Sequence, residues 1–498
     1  MLWSCLAVTA RCQRGLAIAG ADADARCANS LERAASFSFL TPMPITTQQT
    51  KIPWSWALCM MLPWATLHYS DLLSGSPLTF TLRKFADQPA LIAFLSSLNI
   101  AFNFMVGAIA SYTSDRIWTR WGRRRPFLIV GWTGSALVCV AIPLAPNLWI
   151  LAGLIVLYQF FTDVAKPYEP LYNEIVPASQ RGRAGVLRSI ATTVNGLIFN
   201  GLLLANFDRN FGTIVDGWSF ELRGEHLIYW AGAVLTLVTT VFIYWGVRET
   251  PPREGVAREG FRFARFFAEV FADRRWWMVY LLYACPMFST SAARVFVPLT
   301  MTEQIGLTKA QFGWIETITM IANLVLFVPL AGYLADRFSR LTLMQIGMGG
   351  AALVNVGFFA LLRFGPEESI PTSIVMAISL LSGMGGGFIA LKYLIWGPLV
   401  YDFIPADRFG TVSAGFSFVG GVAGFLIINV GGFWVQMFSM LFGSSRGTNF
   451  DYSSIFLLQL FLSLFAIWFI SRFKTGVREG RIAVYGAEQA KSAPTGKV

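Results

Sequence analysis

Apolar runs of about twenty residues recur along nearly the whole chain, parted by short polar loops rich in arginine, glycine and proline. A helix of that length crosses a hydrocarbon core of about 30 Å. In lipid a segment must satisfy its own backbone polar groups, so the runs predict a bundle of spanning helices. The short alternating segments of a transmembrane barrel are not seen. The predicted spans number about twelve. Those of the first half are Trp54–Leu73, Leu91–Thr113, Pro126–Leu144, Leu148–Val176, Ala184–Asn206 and His226–Val247. Those of the second are Trp276–Leu299, Gln311–Ala335, Leu341–Phe364, Pro371–Tyr401, Thr411–Gly432 and Tyr452–Phe473.

The expected organisation is an N-terminal extension (1–50), a six-helix bundle (51–247), a basic cytoplasmic linker (248–275), a second six-helix bundle (276–473) and a polar cytoplasmic tail (474–498). The linker holds Pro251-Pro252 and an amphipathic run, Phe261–Phe271, that reads as a helix lying on the membrane surface. Met1–Leu40 has no uninterrupted span, and Arg11 and Arg14 break what would be a signal-peptide core. It reads either as a disordered tail or as translated leader ahead of a true start at Met43, and the second reading is preferred.

Composition narrows the class. Hydrophobic residues make up 55% of the 498 and charged ones only 13%, with a mean hydropathy of +0.55. That leaves too little polar surface for a water-soluble chain of this length, and an all-α membrane protein is expected. The net charge of +11 does not signal nucleic acid, because the arginines sit in short loops where they set membrane orientation. Cys5, Cys12, Cys27, Cys59, Cys139 and Cys285 have neither metal nor redox spacing. His68 and His226 are the only histidines, too far apart for a metal-centred enzyme. No metal or cofactor is implied.

One set of loops carries Arg116, Arg120, Arg123, Arg124, Arg125, Arg181, Arg183, Arg337 and Arg340 together with the basic linker. The opposite set holds scattered positives such as Arg83, Lys84, Arg209, Lys309 and Arg363. The richer side is expected to be cytoplasmic, with both termini inside a plasma or bacterial inner membrane.

Two pairs of segments match across the halves. Pro170-Leu171-Tyr172-Asn173-Glu174-Ile175-Val176-Pro177-Ala178 is answered by Pro398-Leu399-Val400-Tyr401-Asp402-Phe403-Ile404-Pro405-Ala406, and Asp115-Arg116 by Asp336-Arg337. Two matches in the same order argue for a duplicated six-helix unit. Parallel repeats of this kind place a substrate site near the midplane, between the halves.

The stretch Ser114-Asp115-Arg116-Ile117-Trp118-Thr119-Arg120-Trp121-Gly122-Arg123-Arg124-Arg125-Pro126-Phe127 resembles the loop between helices two and three of plant-type sucrose–proton symporters and their animal and bacterial relatives. More distantly it is similar to the Asp-Arg…Gly-Arg-Arg loop of the major facilitator superfamily, and glycoside–cation symporters related to melibiose permease are similar in outline. The resemblance implies the major facilitator fold and alternating-access symport of a sugar or glycoside with a proton or other cation. A monomer in membrane lipid is expected. The sucrose-type symporters carry an arginine about where Glu169 stands, so the chain departs from them there.

An acid at a helix end beside arginines can make charge-assisted hydrogen bonds to a neighbouring helix end. Asp115, Glu174, Asp336 and Asp402, with Arg116, Arg183, Arg337 and Arg408 and the loop residues Gly122, Arg123, Arg124 and Arg125, are therefore candidates for a cytoplasmic gate. Their bland reading is solvated loop charge.

Ionisable groups within spans are costly and usually face a cavity or a partner. Asp163, Lys166 and Glu169 recur every third residue on the fourth span, broadly on one face. Pro167 and Pro170 cannot donate to the carbonyls of Asp163 and Lys166, which suggests free carbonyls and charges in one place, fit for sugar hydroxyls and a transferable proton. Further candidates are Asn99, Asn103, Arg188, Asn195, Arg294, Glu316, Lys392 and Tyr393. Asn99 with Asn103 reads equally as interhelical glue, and Arg294 with Glu316 as a simple pair. His68 and Asp71 read first as structural interfacial residues and second as a proton relay. Trp56, Trp64, Tyr158, Tyr168, Tyr393 and Trp396 are candidates to stack on a sugar.

With no paired histidines, nucleophile elbow or phosphate-binding loop, the chain is not expected to be an enzyme. The same fold leaves two alternatives, an exporter of drugs or another small solute, and a non-transporting pigment or assembly factor.

Overall fold

Hydrocarbon leaves the backbone of an apolar run no partner but its own, and the runs fold as helices. The computed structural model describes residues 60–114, 117–176, 180–213, 221–247, 249, 267–268, 270–365, 372–404, 409–444, 448–482 and 484. The N-terminal extension and almost all of the tail beyond 482 lie outside them. Over the described residues the first half consists of α1 (61–83), α2 (89–114), α3 (Arg125–Leu144), α4 (148–175), α5 (181–206) and α6 (Gly224–Gly246). The second consists of α7 (275–304), α8 (309–337), α9 (Arg340–Phe364), α10 (Thr372–Phe403), α11 (Phe409–Phe442) and α12 (Ser454–Arg478). Ten of these are long and apolar enough to cross a membrane, and α1 and α7 complete two sets of six. A short antiparallel pair, β1 (Asn210–Thr213) with β2 (Glu221–Arg223), lies between α5 and α6 and is not foreseen by an all-helical reading.

Several elements depart from their predicted extents. α1 does not stop at Leu73: it turns at Ser74–Gly75 and resumes as Ser76–Arg83. α11 runs to Phe442, because Gly432 is not a terminus but a mid-helix contact. Most of the amphipathic run at 261–271 lies outside the described residues. Its described end packs on protein, with Phe267 edge-on to Phe418 of α11 (5.2 Å) and the Val270 carbonyl accepting from the Tyr280 hydroxyl (2.8 Å).

Packing in lipid relies on close fit and small residues. Along the α2–α11 seam between the halves, Gly421 meets Phe104, Gly424 meets Ile100 and Gly432 meets Ala90 and Ala93. Asn429 Nδ2 donates to Ser97 Oγ across the same seam (3.0 Å). Along the α5–α8 seam a Cβ at Gly313 would lie 2.6 Å from the Asn200 carbonyl oxygen.

Among the described residues the two ends of the bundle are fastened differently. At the arginine-poor end ion pairs cross between the halves: Arg83 Nε meets Glu303 Oε1 at 2.6 Å and Lys309 Nζ meets Asp208 Oδ1 at 2.6 Å. The Tyr452 hydroxyl also donates to Glu303 (3.2 Å). At the arginine-rich end the pairs described below stay within a half.

A Cβ at Gly432 would lie 2.7 Å from Ala93 Cβ and 2.8 Å from Ala90 Cα. Gly432→Ala is therefore expected to destabilise the purified protein by about 1–3 kcal/mol, the usual range for overpacking. A thermal melt in detergent measures it, and an unchanged melt would mean that the α2–α11 seam has slack.

Candidate transport site

Pro167 and Pro170 shape α4 locally. The helix Leu148–Val164 ends at a turn over 165–167 and resumes as Tyr168–Ile175. The two carbonyls expected to be free are not: Asp163 O accepts from Lys166 N and Lys166 O from Glu169 N, each at 3.2 Å. The chain tightens from i+4 to i+3 bonds at the break and satisfies them. The break leaves the three charges unequally covered. The Asp163 side chain is 2% exposed and Lys166 23%, with Nζ and Oδ1 4.0 Å apart, while Glu169 is exposed in the first turn after the break. Asp163 Oδ2 has no hydrogen-bond partner. Gly107, in a π turn of α2 (Asn103–Gly107), gives Lys166 its room, since a Cβ there would lie 3.0 Å from Lys166 Cγ.

Three other helices bring polar groups toward this region. Because α1 continues to Arg83, His68 and Asp71 fall mid-helix. His68 Nδ1 lies 3.3 Å from Asn195 Nδ2 of α5, which also donates to the Ala65 carbonyl (3.0 Å). Arg294 of α7 does not pair with Glu316. It donates across to the backbone carbonyl of Asp71 and remains exposed. A group on one half thus binds the middle of α1 on the other.

Nearer the arginine-rich end, Arg188 of α5 is exposed and lays its guanidinium 3.5 Å from the Trp64 ring centroid, a cation–π contact. Trp64 meets Tyr168 and Tyr172 edge-on at 5.6 and 5.2 Å. Trp64, Tyr158 and Tyr168 are buried, so these three expected sugar platforms are core residues whose faces are already covered. Trp56 lies outside the described residues, as do the side chains of Tyr393 and Trp396.

In the second half, Lys392 is buried and donates to Thr290 Oγ1 (3.2 Å). Glu316 lines a cavity of about 220 Å³ bounded by α7, α8, α9, α10 and α12. Asn103 is exposed at the head of the α2 π turn and Asn99 is half-buried one turn before it. Of the other π turns described, Asn323–Phe327 stands at the matching place on α8 and again opens on asparagine.

The arginine-rich loop has a partner that spacing does not reveal. Glu249, just past α6, accepts from the backbone N–H groups of Arg123, Arg124 and Arg125 at 3.0, 3.0 and 2.8 Å. The carboxylate sits on the N-terminus of α3, where free N–H groups and the helix dipole favour an anion. Gly122 has φ +108°, and a Cβ there would come within 2.9 Å of Glu249, so glycine is required twice over. In the sequence Glu249 hides among linker arginines, and its one visible signal is its place directly after an apolar run. Asp402 pairs with Arg340 at 2.5 Å, while Arg337 lies over the Tyr333 ring. Asp115, Arg116 and Arg408, and the side chains of Glu174, Arg183 and Asp336, lie outside the described set.

Removing the Glu249 carboxylate leaves three helix-terminal donors unmet. Hydrogen bonds to charged groups contribute roughly 1.5–3 kcal/mol, so Glu249→Ala should lower the melting temperature clearly, and Glu249→Gln less. Equal melts for both variants and the parent would deny the carboxylate this role.

The sequence profile described as Major Facilitator Superfamily matches residues 55–427 and, a second time, 279–495. A bacterial homologue of the human lysosomal transporter Spinster, solved in an inward-facing and occupied conformation, superposes with a TM-score of 0.61 at 15% identity, over 86% of this chain and 98% of that one. The nucleoside transporter NupG superposes with a TM-score of 0.59 at 15% identity, over 84% of this chain and 98% of that one. These likenesses are of fold. The nitrite extrusion protein of Bacillus subtilis (strain 168) is 25% identical over 159 residues, 31% of this chain and 36% of that protein, so the match spans about a third of the relative. The chain is an integral, multi-pass membrane protein that belongs to the major facilitator superfamily of transporters.

Proposed function

We propose that this transporter is secondary active and carries a sugar or glycoside together with a proton by alternating access. The observation that carries the reading is Asp163, a buried acid with one unpartnered oxygen, 4.0 Å from Lys166 at the break of α4. Burying a carboxylate favours its neutral form, and a nearby ammonium favours the charged one. A small motion of Lys166 relative to Asp163 therefore changes whether the acid holds a proton. The polar groups of His68, Asn195 and Arg294 supply donors and acceptors suited to hydroxyl-rich cargo.

The arginine bias supports a cytoplasmic arginine-rich end with both termini inside. The conformation then has its outer end fastened by Arg83–Glu303 and Lys309–Asp208, and outward opening requires those pairs to part. Asp402–Arg340 and the Glu249 cradle are the inner-end contacts under this reading.

A second reading, transport of a small anion, is favoured by Arg188 and Arg294, two exposed cations both directed at α1, and by the partial match to a nitrite extrusion protein.

Proteoliposomes with an imposed proton gradient test both. Labelled disaccharide should accumulate with the gradient and equilibrate without it. Asp163→Asn should abolish accumulation while leaving sugar exchange intact. Accumulation that survives in the amide variant rejects Asp163 as carrier, and uptake of nitrite but of no sugar selects the anion reading. For the outer end, Arg83→Glu should shift the population toward the outward-open form by about 1 kcal/mol, typical of a partly exposed pair. Adding Glu303→Arg should restore it, as read by distances between spin labels placed across that end.

A further inference from the structure

The second half holds a cavity whose mainly apolar wall carries several polar groups. Its volume is about 220 Å³, and beside apolar groups it is lined by Glu316, Asn355, Gln459, Ser382, Thr290 and Thr319. Gln459 and Asn355 are 3% and 8% exposed, yet neither they nor Glu316 makes a hydrogen bond or ion pair among the described residues. Asn323, on the α8 π turn, packs on Gly386 at the cavity wall, and its amide oxygen too has no partner.

Several charged side chains of the surrounding helices hold partners of their own among the described residues. Lys392 of α10 donates to Thr290 on the cavity wall, and Arg294 of α7 donates to the Asp71 carbonyl. Glu303 of α7 holds Arg83, Lys309 of α8 holds Asp208, and Arg363 of α9 holds Asp451. α12 turns a neutral amide, Gln459, to the cavity. An ionised carboxylate without a counter-charge is costly to bury, and neutral amide and hydroxyl oxygens are the ligands that hard cations take. The cavity is also roomy enough for water, with Glu316, Asn355 and Gln459 as polar partners.

We infer that the Glu316 cavity binds one monovalent cation, a proton or an alkali-metal ion, held by the carboxylate and the neutral oxygens of α9, α10 and α12. One carboxylate among neutral ligands balances one positive charge. A divalent ion would leave a net charge in the bundle interior. The site lies in the half opposite Asp163, so each half would carry its own titratable acid. Its use in coupling rests on the proposed symport, whereas the binding itself does not.

The test uses the purified full-length chain in detergent, with thermal stability read across concentrations of sodium, lithium or potassium chloride against choline chloride, and across pH without alkali ions. A ligand that binds only the folded state raises the melting temperature by mass action. A saturable rise with one alkali cation, absent in Glu316→Gln, identifies a metal ion. A rise toward acid pH that is missing in Glu316→Gln, with no alkali effect, identifies a proton. Asn355→Ala should shift the midpoint of an alkali response several-fold. Identical responses in the parent and Glu316→Gln, whether to salt or to pH, would overturn the site. Because Glu316→Gln is a neutral isostere, it is expected to fold, and a normal elution profile on size exclusion confirms it. Failure of sugar uptake with this response intact removes the cargo reading alone, and uptake with no Glu316-dependent response removes this site alone.

Discussion

A charge inside a bilayer must be given somewhere to go. Placing Arg, Lys or Asp at the centre of a spanning helix costs about 2.5–3.5 kcal/mol on insertion scales, so each such residue needs a partner on another helix or a water-filled space. In this transporter Asp163 lies toward Lys166, Arg188 covers Trp64, Arg294 reaches the Asp71 carbonyl and Lys392 reaches Thr290. These solutions turn polar groups away from lipid and gather several of them where α1, α4, α5 and α7 approach one another.

The two ends of the bundle use charge in different ways. At the arginine-rich end, among the described residues, Glu249 meets three backbone donors of α3 and Asp402 meets Arg340, each within its own half. At the other end Arg83 and Lys309 reach across the division. Bonds within a half survive a rocking motion, while bonds between halves must break and re-form. The glycine seams of α2 with α11 and α5 with α8 bring backbones close with few interlocking side chains, which suits surfaces that pivot on one another.

Local breaks in the helices accompany these sites. α4 tightens at Pro167 beside Asp163, α1 turns at Ser74–Gly75, and α2 and α8 each insert a π turn that opens on asparagine. Extra or missing backbone bonds re-aim side chains by part of a turn, and such irregularities concentrate at functional sites. The matching π turns add a third correspondence between the halves to the two that can be read directly.

What the amino-acid order determined by itself is one-dimensional. The length of apolar runs set the number and class of the helices, the arginine bias marked one end, and the repeated Pro-Leu and Asp-Arg segments indicated two halves. Each follows from transfer energies or turn chemistry that act locally. Partner choice was settled only in three dimensions. Successive residues on a helix point about 100° apart, so a small rotation or a break decides which side chains meet. The break in α4 therefore left Glu169 exposed while Asp163 is buried. Tyr168 and Trp64 turned into the core, His68 and Asp71 fell mid-helix, and Glu249 became a carboxylate that the arginine loop encloses.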